Sequence, residues 1–117
     1  MPLTVLIVDD HPSFRALART VLQAEGFDVI GEAVDGASAL TEAARLRPEL
    51  VLLDAQLPDT DGFAVAAELT RGGDGPAVVL TSSRDAADFG PLVSDSGALG
   101  FVPKAELSAA ALAAFLP

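Results

Sequence analysis

The chain has 117 residues, 50% of them hydrophobic, no cysteine, and a net charge of −10 from seven Lys/Arg against 17 Asp/Glu. That length suits a single domain with one sizeable core. The missing cysteine excludes disulfides and thiolate metal sites, and no apolar run approaches the roughly 18 residues that span a bilayer. The acidity argues against direct contact with nucleic acid, where Lys and Arg must neutralise phosphates, and favours a basic patch on a protein partner. The start MPLTVLIVDD lacks a basic leader region and meets acid after eight residues, unlike a signal peptide, so a cytoplasmic location is expected.

In chain order, residues 3–8 (LTVLIV) form an apolar run rich in β-branched residues, the pattern of a buried parallel strand. It runs into Asp9-Asp10. Pro12 suits the first turn of a helix, where its missing N–H costs nothing. Phe14, Leu17, Ala18, Val21 and Leu22 then recur at helical spacing, and Gly26 closes the helix. Residues 27–34 (FDVIGEAV) predict a second, more alternating strand nearer an edge of the sheet. Asp35 is the expected N-cap of a helix over 37–47, ended by Pro48. Strand 49–53 (ELVLL), the turn 54–62 (DAQLPDTDG) and a helix over 63–71 follow, the last stopping at Gly72-Gly73.

Strand 77–80 leads to Thr81-Ser82-Ser83, strand 99–102 comes fifth, and an Ala-rich helix is expected from about 108 to 116. Gly90-Pro91 interrupts the segment where a fourth helix belongs. Proline inside a helix costs about 3 kcal/mol or more, yet little at its first position. Residues 84–90 are therefore expected as loop, with a short helix from near Gly90-Pro91 to Ser96. The fivefold β–α alternation implies a parallel five-stranded sheet with helices on both faces.

In such a sheet the carboxyl ends of the strands share one edge, where ligand sites form. Asp9, Asp10, Asp54 and Lys104, the only lysine, fall at those ends. Like charges ~4 Å apart repel by about 4 kcal/mol per pair at an effective dielectric near 20. A hard divalent cation relieves that repulsion, and Mg2+ takes one or two carboxylates together with waters and phosphate oxygens. Alone, the Asp pair reads as a solvated helix N-terminus, and Asp54 as a loop carboxylate before Pro58. Together, they suggest that Asp54 attacks a phosphoryl group to form an acyl phosphate, with a metal and Lys104 spreading the charge. Lysine is a point charge for phosphate where arginine is a fork. The Thr81 hydroxyl could donate to a phosphoryl oxygen, with Ser82 and Ser83 leaving the assignment open by one position. His11, the only histidine, is expected to pack or cap at the helix start rather than bind metal.

Two other classes fit less well. A dinucleotide-binding domain needs G-x-G-x-x-G after the first strand, and here that strand meets DDHP. A phosphatase with an aspartyl nucleophile needs a second acid, often as D-x-D, and residues 54–56 read D-A-Q. A structural interaction module would not require this convergence of acids and the sole lysine.

The segments LTVLIVDDHPSFR, LVLLDAQLPDTDGF, VVLTSS and GALGFVPK, in that order, resemble the receiver domain of bacterial two-component response regulators over essentially the whole chain. The DDHPSFR start and a GFVPK not followed by proline look most like the NarL/FixJ subfamily, whose receivers precede a LuxR-type helix-turn-helix. The resemblance implies a (βα)5 flavodoxin-like fold, with residues 1–117 forming the receiver and no output domain in the chain. It makes Asp54 the phosphoacceptor for a phosphoryl group from a sensor histidine kinase. Asp10 becomes a direct Mg2+ ligand, Asp9 acts mainly through water, and Gln56 offers its backbone carbonyl. Thr81 is the hydroxyl that follows the phosphoryl group, Lys104 its ion-pair partner, and Phe101 the aromatic switch. Phe101 precedes Lys104 by three residues, which puts it on the opposite face of a strand.

The same resemblance implies self-phosphorylation and slow autodephosphorylation without other enzymatic turnover. Output would be transcription through a C-terminal DNA-binding domain beyond the chain, or else docking of a stand-alone receiver, with a second copy as a candidate partner. Pro91 disturbs part of the face through which relatives signal.

Overall fold

The computed structural model describes residues 2–116. Ten regular elements alternate along it: β1 (Thr4–Val8), α1 (Pro12–Ala24), β2 (Asp28–Ala33), α2 (Gly36–Leu46), β3 (Leu50–Asp54), α3 (Gly62–Thr70), β4 (Ala77–Ser82), α4 (Leu92–Asp95), β5 (Gly100–Pro103) and α5 (Ala109–Ala113). The strands form one parallel sheet in the order β2-β1-β3-β4-β5. The alternating strand β2 lies at an edge, as its pattern predicts, and β1 and β3, apolar apart from Thr4 and Asp54, lie inside. The chain reverses its winding direction between β1 and β3, so their carboxyl ends border the crevice where such sheets bind ligands.

Successive strand residues point to opposite faces, which divides the core in two. Val5, Ile7, Leu50, Leu52, Val79 and Val102 meet Phe14, Ala18 and Leu22 of α1 and Leu112 of α5. Leu6, Val8, Val51, Leu53, Val78 and Leu80 meet Ala39 and Ala43 of α2 and Val65 and Ala66 of α3. No helix among the described residues is long and apolar enough to cross a membrane.

Local chemistry fixes the ends of the elements. The Asp35 side chain accepts the Ser38 N–H at 2.8 Å as the N-cap of α2, in a capping box with the Ser38 hydroxyl. A second carboxylate, Asp59, accepts the next free donors, Gly36 N–H at 2.7 Å and Ala37 N–H at 3.0 Å, and so ties the β3–α3 turn to α2. Asp61 caps α3 through Ala64 N–H. Gly62 is required there, because a Cβ would lie 2.2 Å from the Asp54 carbonyl oxygen.

Two ends and one loop differ from the sequence expectation. Strand β4 continues through Thr81 and Ser82, which pair with Val102 and Pro103 of β5. Helix α5 stops at Ala113 rather than near 116, because its last turn tightens to bonds from Phe115 N–H to Leu112 and from Leu116 N–H to Ala113. That tightening folds Phe115 back onto the first core. Residues 84–90 contain a 3-10 turn, Ala86–Phe89, where plain loop was expected. The single-turn α4 begins after Pro91 and ends at Asp95, within the expected limits.

Candidate functional site

The site grows from the carboxyl ends of β1, β3 and β5. Asp9 prolongs β1: its N–H donates to the Ala33 carbonyl of β2 at 3.0 Å, so the residue stays in the sheet and its side chain is fully buried. Asp54, the last residue of β3, is also buried. Lys104 opens a 3-10 turn after β5, and its stem carries Nζ over the Phe14 ring, 4.6 Å from the centroid, a favourable cation–π position. From there Nζ reaches Asp9 Oδ2 at 2.7 Å and Asp54 Oδ2 at 3.2 Å. One ammonium thus neutralises the inner oxygens of two buried carboxylates.

The outer oxygens have other partners. Asp54 Oδ1 accepts the Gln56 N–H at 3.0 Å. Asp9 Oδ1 accepts the His11 backbone N–H at 2.8 Å and lies 3.0 Å from His11 Nδ1. Asp10 sits at the mouth, 37% exposed, with Oδ1 3.2 Å from the same ring nitrogen. Asp9, Asp10, His11 and Asp54 each offer a ligand atom, and those atoms lie within 4.8 Å of one another. This donor set, dominated by carboxylate oxygen, could hold a hard divalent cation.

Burial pushes the Asp54 carboxyl above its ordinary value and the Asp9 charge adds to the effect, against the pull of the Gln56 N–H and Lys104. Burial alone would lower the Lys104 ammonium, yet its hydrogen bond to Asp9 and the charge of Asp54 carry it upward. Thr81 stands directly opposite Asp54 in the β3–β4 register, and its hydroxyl is buried without a hydrogen-bond partner among the described residues. Ser82 turns to the Arg84 N–H and Ser83 is exposed, so register singles out Thr81 of the three hydroxyls. A buried hydroxyl without a partner costs free energy.

Phe101 is not part of this pocket. It is half-buried against the second core, with its ring 5.7 Å from Phe89, which is in turn 5.2 Å from Phe63. Val102, its neighbour, faces the first core, so Phe101 and the Lys104–Phe14 contact lie on opposite sides of the sheet.

The chain matches the family model for the response regulator receiver domain over residues 5–115. It belongs to that family. Among its relatives, the DNA-binding response regulator MtrA of Mycolicibacterium smegmatis is 44% identical over 102 residues, covering 86% of this chain and 43% of that protein. The transcription regulator BvgA of Bordetella pertussis is 40% identical over 102 residues, covering 87% of this chain and 49% of that protein. The receiver therefore spans about half the length of the curated relatives it matches. Its structure superposes on the signal receiver domain of the response regulator NarL from Mycobacterium tuberculosis with a TM-score of 0.83 and 34% identity, over 97% of this chain and 96% of that one.

The receiver's sequence concealed several contributors. His11 occupies the N-cap position of α1, as expected, but its side chain does not pack there: it is 64% exposed, makes no cap hydrogen bond, and points its Nδ1 at both acids. Chain direction could have shown that a ring following two acids at a strand end lies at the mouth. Arg15 donates through Nη1 to the Asp9 carbonyl at 2.7 Å and through Nε to Glu32 at 2.9 Å. Glu32 also holds Arg19. The Glu32 carboxyl is therefore drawn below its ordinary value: burial opposes the shift, and the hydrogen bonds from Arg19 and Arg15 prevail.

Proposed function

We propose that this receiver is a phosphoryl-accepting switch in which Asp54 is the phosphoacceptor. The observation that carries the proposal is the buried Asp54 carboxylate, with Lys104 on one oxygen and the unpartnered Thr81 hydroxyl beside it. An Asp54 oxygen attacks the phosphorus of a phosphohistidine on a sensor kinase. The P–N bond breaks, the imidazole leaves with its electron pair, and an acyl phosphate forms on Asp54. Asp10, Asp9, Asp54 and the Gln56 carbonyl would hold Mg2+, which supplies charge neutralisation for the phosphoryl oxygens. The Lys104 ammonium is held ready on Asp54 Oδ2 and transfers its attraction to the new dianion. Thr81 then gains a partner for its hydroxyl, and Phe101 responds on the other side of β5. The chemistry is one stoichiometric event followed by slow hydrolysis.

The regulatory context is part of the same proposal. The relatives' names support transcription as the output, through a DNA-binding segment outside residues 1–117, and a net charge of −10 argues against contact of this segment with DNA. The kinase partner, a cytoplasmic location and self-association in the phosphorylated state follow from the same family logic.

Intact mass after incubation with Mg2+ and acetyl phosphate tests the proposal. One added phosphoryl group is expected, absent without Mg2+ and absent in Asp54→Asn. Stoichiometric label in Asp54→Asn would remove Asp54 from the role.

A further inference from the structure

We propose that His11 is an additional metal ligand, giving this receiver an imidazole donor that makes it bind a borderline ion such as Zn2+ more tightly than an all-oxygen site would. The inference rests on the acidic pocket being a cation site. His11 Nδ1 lies 3.0 Å from Asp9 Oδ1 and 3.2 Å from Asp10 Oδ1. Neighbouring ligands about 2.1 Å from one ion are separated by about 3.0 Å when they subtend a right angle at it. The ring nitrogen thus already stands at the spacing of neighbouring donors from each of the two carboxylates.

The backbone keeps the ring there. Pro12 occupies the first turn of α1, leaving His11 as the extended N-cap (φ −93°, ψ 110°), and its N–H is fastened to Asp9 Oδ1. The ring has no competing role as a cap. Lys104 takes Oδ2 of both Asp9 and Asp54, so the ammonium sits on the inner side and Asp9 Oδ1 is left to His11. The buried, unpartnered Thr81 hydroxyl is independent evidence that this pocket is shaped to receive a ligand.

Imidazole suits Zn2+, Ni2+ and Cu2+, whereas Mg2+ is satisfied by carboxylate, carbonyl and water. Replacing His11 should therefore cost the borderline ions a bond and cost Mg2+ little, since water takes the vacated position.

The test uses untagged, uniformly 15N-labelled protein, in which the single histidine gives one imidazole with two ring nitrogens. Addition of Zn2+ should move one ring nitrogen to the metal-bound position, and a large excess of Mg2+ should reverse it. His11→Ala should weaken Zn2+ by about tenfold or more while changing Mg2+ affinity by less than about twofold. Zn2+ that competes with Mg2+ while leaving the imidazole signal unmoved would overturn the role of His11 and leave the cation site standing. Imidazole-bound Zn2+ that survives excess Mg2+ and Asp10→Asn would be an adventitious surface ion and would equally overturn it. Absence of any Mg2+ or Zn2+ effect on the Asp10 and Ala55 amides would remove the cation site itself, and the inference with it.

Discussion

Lys104 Nζ lies 2.7 Å from Asp9 Oδ2, and Asp9 is fully buried at that contact. Asp9 is therefore a structural counter-ion for the lysine before it is anything else. A buried carboxylate stripped of its cation costs about 3 kcal/mol or more. Lys104→Met should accordingly lower metal-free stability by about 3 kcal/mol in urea unfolding at neutral pH. The pH dependence has a definite sign. The Lys104 pKa is raised in the folded chain, so its contribution is complete below the ordinary lysine value and fades as pH rises through the folded one. The variant should lack that alkaline loss. Mg2+ should raise its melting temperature more than that of the wild type, because a cation replaces the missing ammonium.

Asp54 should behave in the opposite sense. Its carboxyl is raised, first by burial and then by the charge of Asp9, so the folded state holds a proton at pH values where the unfolded chain has lost it. Stability must then fall as pH rises from about 4, the ordinary aspartate value, through the folded value. Asp54→Asn should not show this fall. It should match the wild type at low pH and exceed it at neutral pH, as read from chemical unfolding across that range without Mg2+.

Apolar runs identify β1, β3 and β4 because buried parallel strands tolerate little else, and Pro91 marks the start of α4 because it carries no N–H. Adjacent acids look alike in a sequence, however. One more ladder bond, from Asp9 N–H to Ala33, keeps Asp9 in the sheet and buried while Asp10 turns outward. Asp59 bracing α2 and Arg15 bracing the Asp9 carbonyl are tertiary contacts with no local signature. The 3-10 turn over Ala86–Phe89 was equally hidden, since Phe89 is held by Phe63 and Phe101 from distant parts of the chain.

That aromatic row should link the pocket to the surface. Arg84 stacks on Phe89 with its guanidinium carbon 5.8 Å from the ring centroid, and Gly90, at φ +57°, joins the 3-10 turn to α4. Rotation of Phe101 out of its present packing would deprive Phe89 of a neighbour. Beryllofluoride should therefore shift the Phe101 ring resonances and change hydrogen exchange across 84–96. In Phe89→Ala the ring response should persist while the exchange difference collapses. Unchanged exchange in wild-type protein would argue that phosphorylation is read out elsewhere.

A strained backbone position lies at the opposite end of β3 from Asp54. Arg47, the C-cap of α2, is the only non-glycine residue with positive φ among the described residues, at φ 49° and ψ 58°. Its N–H completes the helix with a 2.9 Å bond to Ala43, and Pro48 prevents further helix. A Cβ in this conformation costs roughly 1–2 kcal/mol, which glycine avoids while losing somewhat more chain entropy on folding. Arg47→Gly should thus stabilise the receiver by about 0.5–1 kcal/mol and raise the melting temperature by a few degrees. Arg47→Ala is the decisive control: it removes the same charge but keeps the Cβ, so it should give no such gain. Equal stabilisation by both would assign the effect to the lost guanidinium rather than to the backbone. Phosphorylation by acetyl phosphate should be unaffected in either variant.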